Sequence, residues 1–149
     1  MRQTDSRPGP FELLSARRVI EPELAAMAAR VATGAGIDAM LAAAAMMERV
    51  GRHYPVDAGG CELADRDYHL TLARVTGNGA LTSMLEHLWG QRGGLWHTLA
   101  QLFDKDVLRD ETIADYHRIS QAIAARDPSG ARNAMRTHLG RYTRALSRG

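Results

Sequence analysis

Hydrophobic positions along the chain recur at spacings of three and four residues, which is the period of an amphipathic α-helix. The stretch 37–52 shows this most plainly, with an apolar stripe made of Ile37, Met40, Leu41, Ala44 and Met47. Alanine, leucine, methionine and arginine dominate such stretches, and these are good helix formers without branched Cβ atoms. The pattern therefore predicts an all-α fold, an antiparallel bundle of about six or seven helices.

Proline, glycine and capping residues set the expected helix boundaries. Pro10 can open the first helix at its first position, whereas Pro22 lacks a backbone donor, so we expect a break or kink there. Residues 33–36 are expected to form a linker. Further helices are expected over about 37–52, 62–76, 80–103, 110–126 and 128–146. Gly93 and Gly94 predict a break within the long segment 80–103.

Composition narrows the class of protein. The 149 residues are 45% hydrophobic and 24% charged, which fits one domain with a sizeable core and excludes wholesale disorder. Nineteen Lys and Arg residues against 17 Asp and Glu give a net charge of only +2, which does not argue for nucleic-acid binding. A single cysteine, Cys61, forms no disulfide within the chain, and the longest apolar run is too short to cross a membrane. We expect a cytoplasmic protein with a flexible leader over residues 1–9.

Polar residues on otherwise apolar helix faces are the candidate chemistry. Asp65 and His69 stand four residues apart, so their side chains lie on one face of a helix. His138 sits within the apolar stripe of the last helix. Two imidazoles and a carboxylate suit a divalent ion such as Zn or Ni. The alternative is a local helix pair together with a hydrogen-bonded core histidine.

Five arginines also mark the last helix. They are Arg132, Arg136, Arg141, Arg144 and Arg148. No aromatic residues interleave with them as base stacking would favour, so we interpret them as a solvated helix face rather than a DNA contact.

Several segments together resemble a known family. Residues 7–22 resemble the start of the FCD domain, which is the effector-binding domain of GntR-type transcription regulators of the FadR subfamily. Asp65-x-x-x-His69 with Asn78 nine residues on is similar to that family's signature, and residues 124–139 resemble its last helix pair. The leader 5–12 and the pair 95–96 look most like the branch that senses hexuronates and related sugar acids.

The resemblance implies a helical bundle whose central cavity holds a divalent metal bound by one Asp and three His, beside a small carboxylate effector. Asp65, His69 and His138 match three of the ligand positions. Arg17 matches an inward arginine of the first helix, and Asn78 matches an asparagine near the effector.

A sugar acid further requires bidentate donors and an apolar or aromatic wall. Arg17 and Arg92 are the candidate donors, since a guanidinium fork matches a carboxylate at two points. Trp89 or Trp96 is the candidate wall. A solvent-facing role for the arginines and a core role for the tryptophans are the competing interpretations.

The third histidine of the family does not match cleanly. Counted back from Asp127 without a gap, its position falls on Tyr116, and the histidine of this chain is His117. Adjacent helical residues point about 100° apart, so both cannot face one site in a regular helix. Either a local bulge brings His117 to the metal, or Tyr116 takes the place and only three protein ligands remain.

Three functions are compatible with these residues. The first is a non-enzymatic effector-sensing and dimerisation domain over residues 10–149, in which DNA is met only through a separate winged helix-turn-helix domain that we do not expect within this chain. The second is a small metalloenzyme with Asp67 or Asp115 as base. The third is a homodimerisation module with a vestigial cavity.

Overall fold

A computed structural model describes residues 8–91 and 101–148. Within these ranges the chain is helical and contains no strand, so the all-α prediction is confirmed. Most of the expected leader lies outside the described residues. So do Arg92, the glycine pair at 93–94 and Trp96.

Six helices make up the described parts of the chain. They are α1 (Pro10–Val31), α2 (Gly34–Gly51), α3 (Ala58–Val75), α4 (Gly79–Gly90), α5 (Asp106–Ala124) and α6 (Pro128–Arg148). α5 begins four residues earlier than the pattern predicted, and α4 ends far short of residue 103.

The expected break at Pro22 is wrong, because α1 continues through it to Val31. Pro22 is buried, as are Leu24 and Ala25 directly after it. The apolar contacts of this segment therefore offset the backbone hydrogen bond that the proline cannot donate.

Local caps explain the other boundaries. The Thr33 hydroxyl accepts a hydrogen bond from the Gly36 nitrogen at 3.0 Å, so residues 34–36 form the first turn of α2 rather than a linker. Asp57 caps α3 in the same way. Gly77, with φ of 70°, follows the end of α3 in the left-handed conformation that favours glycine.

The helices pack around one core. α1 lies against α6, α2 lies against α3 and α5, and α5 also packs on α6, while α3 reaches α1 and α4. None of the described helices is both long and apolar enough to span a membrane. The interior is not purely apolar, because a group of ionisable side chains is buried where α1, α3, α5 and α6 meet.

Candidate functional site

Seven polar side chains converge at the centre of the bundle, and each is at most 2% exposed. This central cluster consists of Arg17 and Glu21 from α1, Asp65 and His69 from α3, Tyr116 from α5, and His138 and Tyr142 from α6. Buried charges are costly unless they are paired or bind an ion. The arrangement of their partners therefore decides what the cluster can do.

The three predicted ligands Asp65, His69 and His138 lie together. One ligand atom from each of them lies within 4.8 Å of the others. The one-turn spacing on α3 brings His69 Nε2 to 3.5 Å from Asp65 Oδ1, and α6 supplies His138, whose ring stacks on His69 with centroids 5.5 Å apart. The structure thus brings together residues separated by 69 positions in the chain.

Arg17 points inward, as the family resemblance implied. Its Nε lies 2.5 Å from Glu21 Oε2, and its Nη2 lies 3.3 Å from His69 Nε2. Glu21 also contacts His69 Nδ1 through its other oxygen. The guanidinium lies 4.5 Å from the ring centroid of Trp89, which is a cation–π contact. Trp89 is therefore a wall of the cluster.

The charged form of Glu21 is strongly favoured. Burial by itself would raise its pKa, but the charges of Arg17 and His69 and their hydrogen bonds lower the pKa to about 2. The pKa of His69 is raised, because the attraction of Glu21 and hydrogen bonds to Glu21 and Asp65 outweigh the effects of burial and of Arg17.

His138 behaves in the opposite way, since burial lowers its pKa despite the hydrogen bond to Asp115. Burial together with the charge of Asp65 raises the pKa of Tyr142 well above 10. The cluster therefore pairs one imidazole that favours the charged form with one that favours the neutral form.

The question of Tyr116 or His117 is answered by the direction of α5. Tyr116 is fully buried, its hydroxyl donates to Asp65 Oδ1, and it lies 2.9 Å from His69 Nε2. His117 as a metal ligand is wrong for this arrangement: its side chain is 36% exposed and its Nε2 lies 2.7 Å from Glu48 of α2. α5 is an uninterrupted α-helix here, so no bulge turns His117 inward.

A second carboxylate, that of Asp115, contacts the Nδ1 side of the His138 ring. Asp115 is 2% exposed, and its Oδ2 lies 3.2 Å from His138 Nδ1 and 3.1 Å from Arg141 Nε. Its Oδ1 accepts from Arg118 at 2.8 Å. A carboxylate bonded to Nδ1 favours the tautomer with the proton on that nitrogen, which leaves Nε2 as a lone-pair donor.

His138 Nε2 is also the observation that tests a metal. It is buried and has no hydrogen-bond partner within the described parts of the chain. A buried nitrogen lone pair without a partner is costly, and it lies in the group formed with Asp65 and His69. The donor set of two imidazoles and one carboxylate therefore fits a divalent ion of the zinc or nickel type.

Other predicted residues lie elsewhere. Asn78 is exposed and caps α4, since its Oδ1 accepts from the nitrogens of Ala80 and Leu81 at 3.0 and 3.1 Å. Asn78 therefore has a capping role, and its expected place near an effector stays a prediction. Asp67 is exposed on α3, and Asp115 is held by its three partners, so neither is poised as a catalytic base.

Sequence reasoning missed the roles of Glu21, Asp115 and Tyr142. The spacing of four residues between Arg17 and Glu21 is a detectable ion-pair signal on a helix. No local signal marks Tyr142, whose hydroxyl lies 3.4 Å from Asp65 Oδ1 on another helix.

Known proteins resemble this chain over most of its length. The family model described as FCD domain matches residues 12–141. The Uxu operon transcriptional regulator of Escherichia coli (strain K12) is 34% identical over 134 residues, which is 88% of this chain and 51% of that protein. The Exu regulon transcriptional regulator of the same strain is 33% identical over 88% of this chain and 49% of its own length. The chain thus spans about half the length of these curated relatives.

The Uxu operon regulator of Haemophilus influenzae is 33% identical and matches 88% of this chain. Among solved structures, Streptococcus agalactiae GntR superposes with a TM-score of 0.73 and 22% identity, covering 91% of this chain and 58% of that one. This structural likeness confirms the fold.

Proposed function

Because the chain belongs to the FCD domain family, we propose that it is the effector-sensing domain of a GntR-type transcription regulator. Its effector is a small sugar-acid carboxylate of the hexuronate class, bound beside a divalent metal ion. Its further partners are a second copy of the chain and, through a separate domain, DNA. The relatives named for the Uxu operon and the Exu regulon support the effector class.

The central cluster is the observation that carries the proposal. Asp65, His69 and His138 would hold the ion through one oxygen and two nitrogens. The ion would supply a positive charge for a carboxylate oxygen. Arg17 lies 3.3 Å from His69 Nε2, so its guanidinium would meet the same carboxylate.

Charge balance favours the same pair of ligands. With both imidazoles neutral, as metal ligation requires, the cluster holds the cation of Arg17 and the anions of Glu21 and Asp65. A divalent ion would leave one excess positive charge in a buried site. A single carboxylate would cancel that charge, and burying a neutral assembly costs far less than burying a charged one.

The sensing step needs a ligand that favours one arrangement of the helices over another. The cluster is suited to this because its residues come from α1, α3, α5 and α6. A ligand that bridges Arg17 and the ion would tie α1 to α3 and α6, and so change the position of whatever is attached to α1.

Calorimetry tests the proposal directly. Zinc or nickel is titrated into chelator-treated protein, and the loaded protein is then titrated with galacturonate, glucuronate and, as a neutral control, galactose. We expect one metal per chain and heat from a hexuronate but not from galactose.

His138→Gln should abolish metal binding, whereas the exposed His87→Gln serves as the matched control and should not. Metal binding without heat from any hexuronate would reject the sugar-acid class. Failure of both metal and hexuronates to bind, with an intact dimer, would favour the dimerisation module instead.

A further inference from the structure

The arginines of α6 fall into two groups in the structure. Arg132 and Arg136 point toward α1, where Glu23 Oε1 lies 2.8 Å from Arg132 Nε and 3.9 Å from Arg136 Nη2. The remaining three, Arg141, Arg144 and Arg148, line a cavity against the beginning of α5. Arg136, Arg144 and Arg148 are exposed, which fits the expected solvated face, but the two groups of arginines have different surroundings.

The cavity has the dimensions of a small-molecule site. Its volume is about 350 Å³, which lies within the range of known ligand pockets. Apolar side chains form part of its lining, namely Leu102, Val107, Leu108 and Ala145. Charged side chains complete it, namely Lys105, Glu111 and the three arginines. Such a lining suits an organic anion with a short apolar part.

Positive charge in this cavity exceeds what the protein neutralises. Arg141 is paired with both Glu111 Oε2 at 3.6 Å and Asp115 Oδ2 at 3.1 Å. Within residues 8–91 and 101–148, by contrast, Lys105, Arg144 and Arg148 have no carboxylate oxygen within the 4.0 Å of an ion pair.

The dipole of α6 accounts for a cation at its last turn, where Arg148 lies. It does not account for Lys105, which lies at the beginning of α5 as its N-cap residue. Three exposed cations around one concavity give it a positive potential, which attracts an anion.

Arg141 connects this cavity with the central cluster. Its Nε and the Nδ1 of His138 share one oxygen of the buried Asp115. An anion that draws the Arg141 guanidinium toward the cavity would weaken its hold on Asp115. The hydrogen bond that orients His138 would change in turn, because Asp115 has only Arg118 as its other cationic partner among the described residues.

We propose that this cavity binds a small organic anion with two negative charges, a phosphate monoester or a dicarboxylate, through Lys105, Arg144 and Arg148, and that Arg141 and Asp115 transmit its occupancy to His138. This is a second ligand site, separate from the central cluster, and its existence does not depend on the proposed effector or metal. The phosphate monoester and the dicarboxylate share two negative charges and an apolar body.

Calorimetry on the whole, chelator-treated chain tests the site with phenyl phosphate, succinate and inorganic phosphate. We expect saturable binding of phenyl phosphate or succinate with one site per chain. Tighter binding of phenyl phosphate assigns a phosphate ester, and tighter binding of succinate assigns a dicarboxylate. The double variant Arg144→Gln with Arg148→Gln should weaken the better probe about tenfold or more, since charge-assisted hydrogen bonds are lost.

The matched control is Arg132→Gln with Arg136→Gln, which removes the same charge from the same helix outside the cavity. The affinity of this control variant for the better probe should stay within about twofold of the affinity of the unmodified chain. If both double variants lose affinity for the probe equally, or if binding does not saturate, the proposed site is wrong. Both results would identify a general attraction of anions to a basic helix.

Nitrogen NMR of the His138 ring tests the transmission. Saturating probe should shift its Nδ1 resonance in the unmodified chain. In Asp115→Asn the probe should still bind while the ring resonances remain unchanged. If saturating probe leaves the His138 ring resonances of the unmodified chain unchanged, the proposed transmission is wrong. This result would hold whether or not metal or hexuronates bind to the central cluster.

Discussion

Replacing Glu21 with glutamine should remove a large, acid-sensitive contribution to stability. Glu21 is fully buried between Arg17 and His69, and its pKa is lowered from 4.5 to about 2. A difference of about 2.5 pKa units corresponds to about 3 kcal/mol of free energy of unfolding at neutral pH. Neither Glu21 nor its partners Arg17 and His69 are exposed to water, so solvent does not screen their interaction.

The direction of the pH dependence follows from the lowered pKa of Glu21. A carboxyl whose folded-state pKa is lowered contributes its stability above the pKa of the unfolded chain, near 4.5, and loses it as the pH falls toward 2. About 2 kcal/mol should therefore disappear between pH 5 and pH 3. His69 has a raised pKa, so its contribution changes at the other end, where the pH rises above 6.5.

Urea unfolding of chelator-treated protein at pH 3, 4, 5 and 6 measures this effect. The difference in unfolding free energy between the unmodified chain and Glu21→Gln should shrink by about 2 kcal/mol from pH 5 to pH 3. Glu12→Gln is the matched control, an exposed carboxylate on the same helix, and should show a small difference. A Glu21→Gln difference that stays constant from pH 5 to pH 3 would refute the assigned ion cluster.

Three further outcomes follow from the same contacts. Asp115→Asn should weaken zinc binding by calorimetry about 10- to 100-fold while the fold is retained by circular dichroism, because the partner that orients His138 is lost; unchanged affinity would contradict that role. Tyr116→His should tighten zinc binding about tenfold or more, since it adds a third imidazole to the cluster, and a weaker affinity would show that the ring cannot reach the ion. Arg109→Ala should lower the unfolding free energy in urea by about 2–4 kcal/mol, because its guanidinium donates to the carbonyls of Gly51 and Phe103 at 2.8 and 2.6 Å; a loss below about 0.5 kcal/mol would contradict this.

The helical spacing of the hydrophobic positions is enough to predict the fold class and most of the helices. It failed at Pro22 and at residues 34–36, where local propensity disfavours a helix. Burial of the segment around Pro22 and the Thr33 cap outweigh those preferences. Tertiary packing regularly overrides weak local signals in this way.

The central cluster was predictable only in part. Asp65 and His69 share a helix, so their proximity follows from the spacing of four residues. The direction of Tyr116 depends on the rotation of α5 within the bundle, and a single residue of register exchanges it with His117. Asp115 and Arg141 meet across two helices, and no pattern in one sequence reports such a contact.

The cost of the central cluster is itself an argument for a binding role. Arg17, Glu21, Asp65 and His69 occupy core positions where apolar residues of similar size would serve stability as well or better. His138 adds a buried nitrogen without a hydrogen-bond partner among the described residues. Stability alone does not explain these features, whereas the proposed ligand binding would, because a ligand that satisfies the cluster stabilises only the arrangement of helices that holds it. The polar core is thus the part of the bundle that suits the proposed role, in which a bound anion changes the arrangement of the helices.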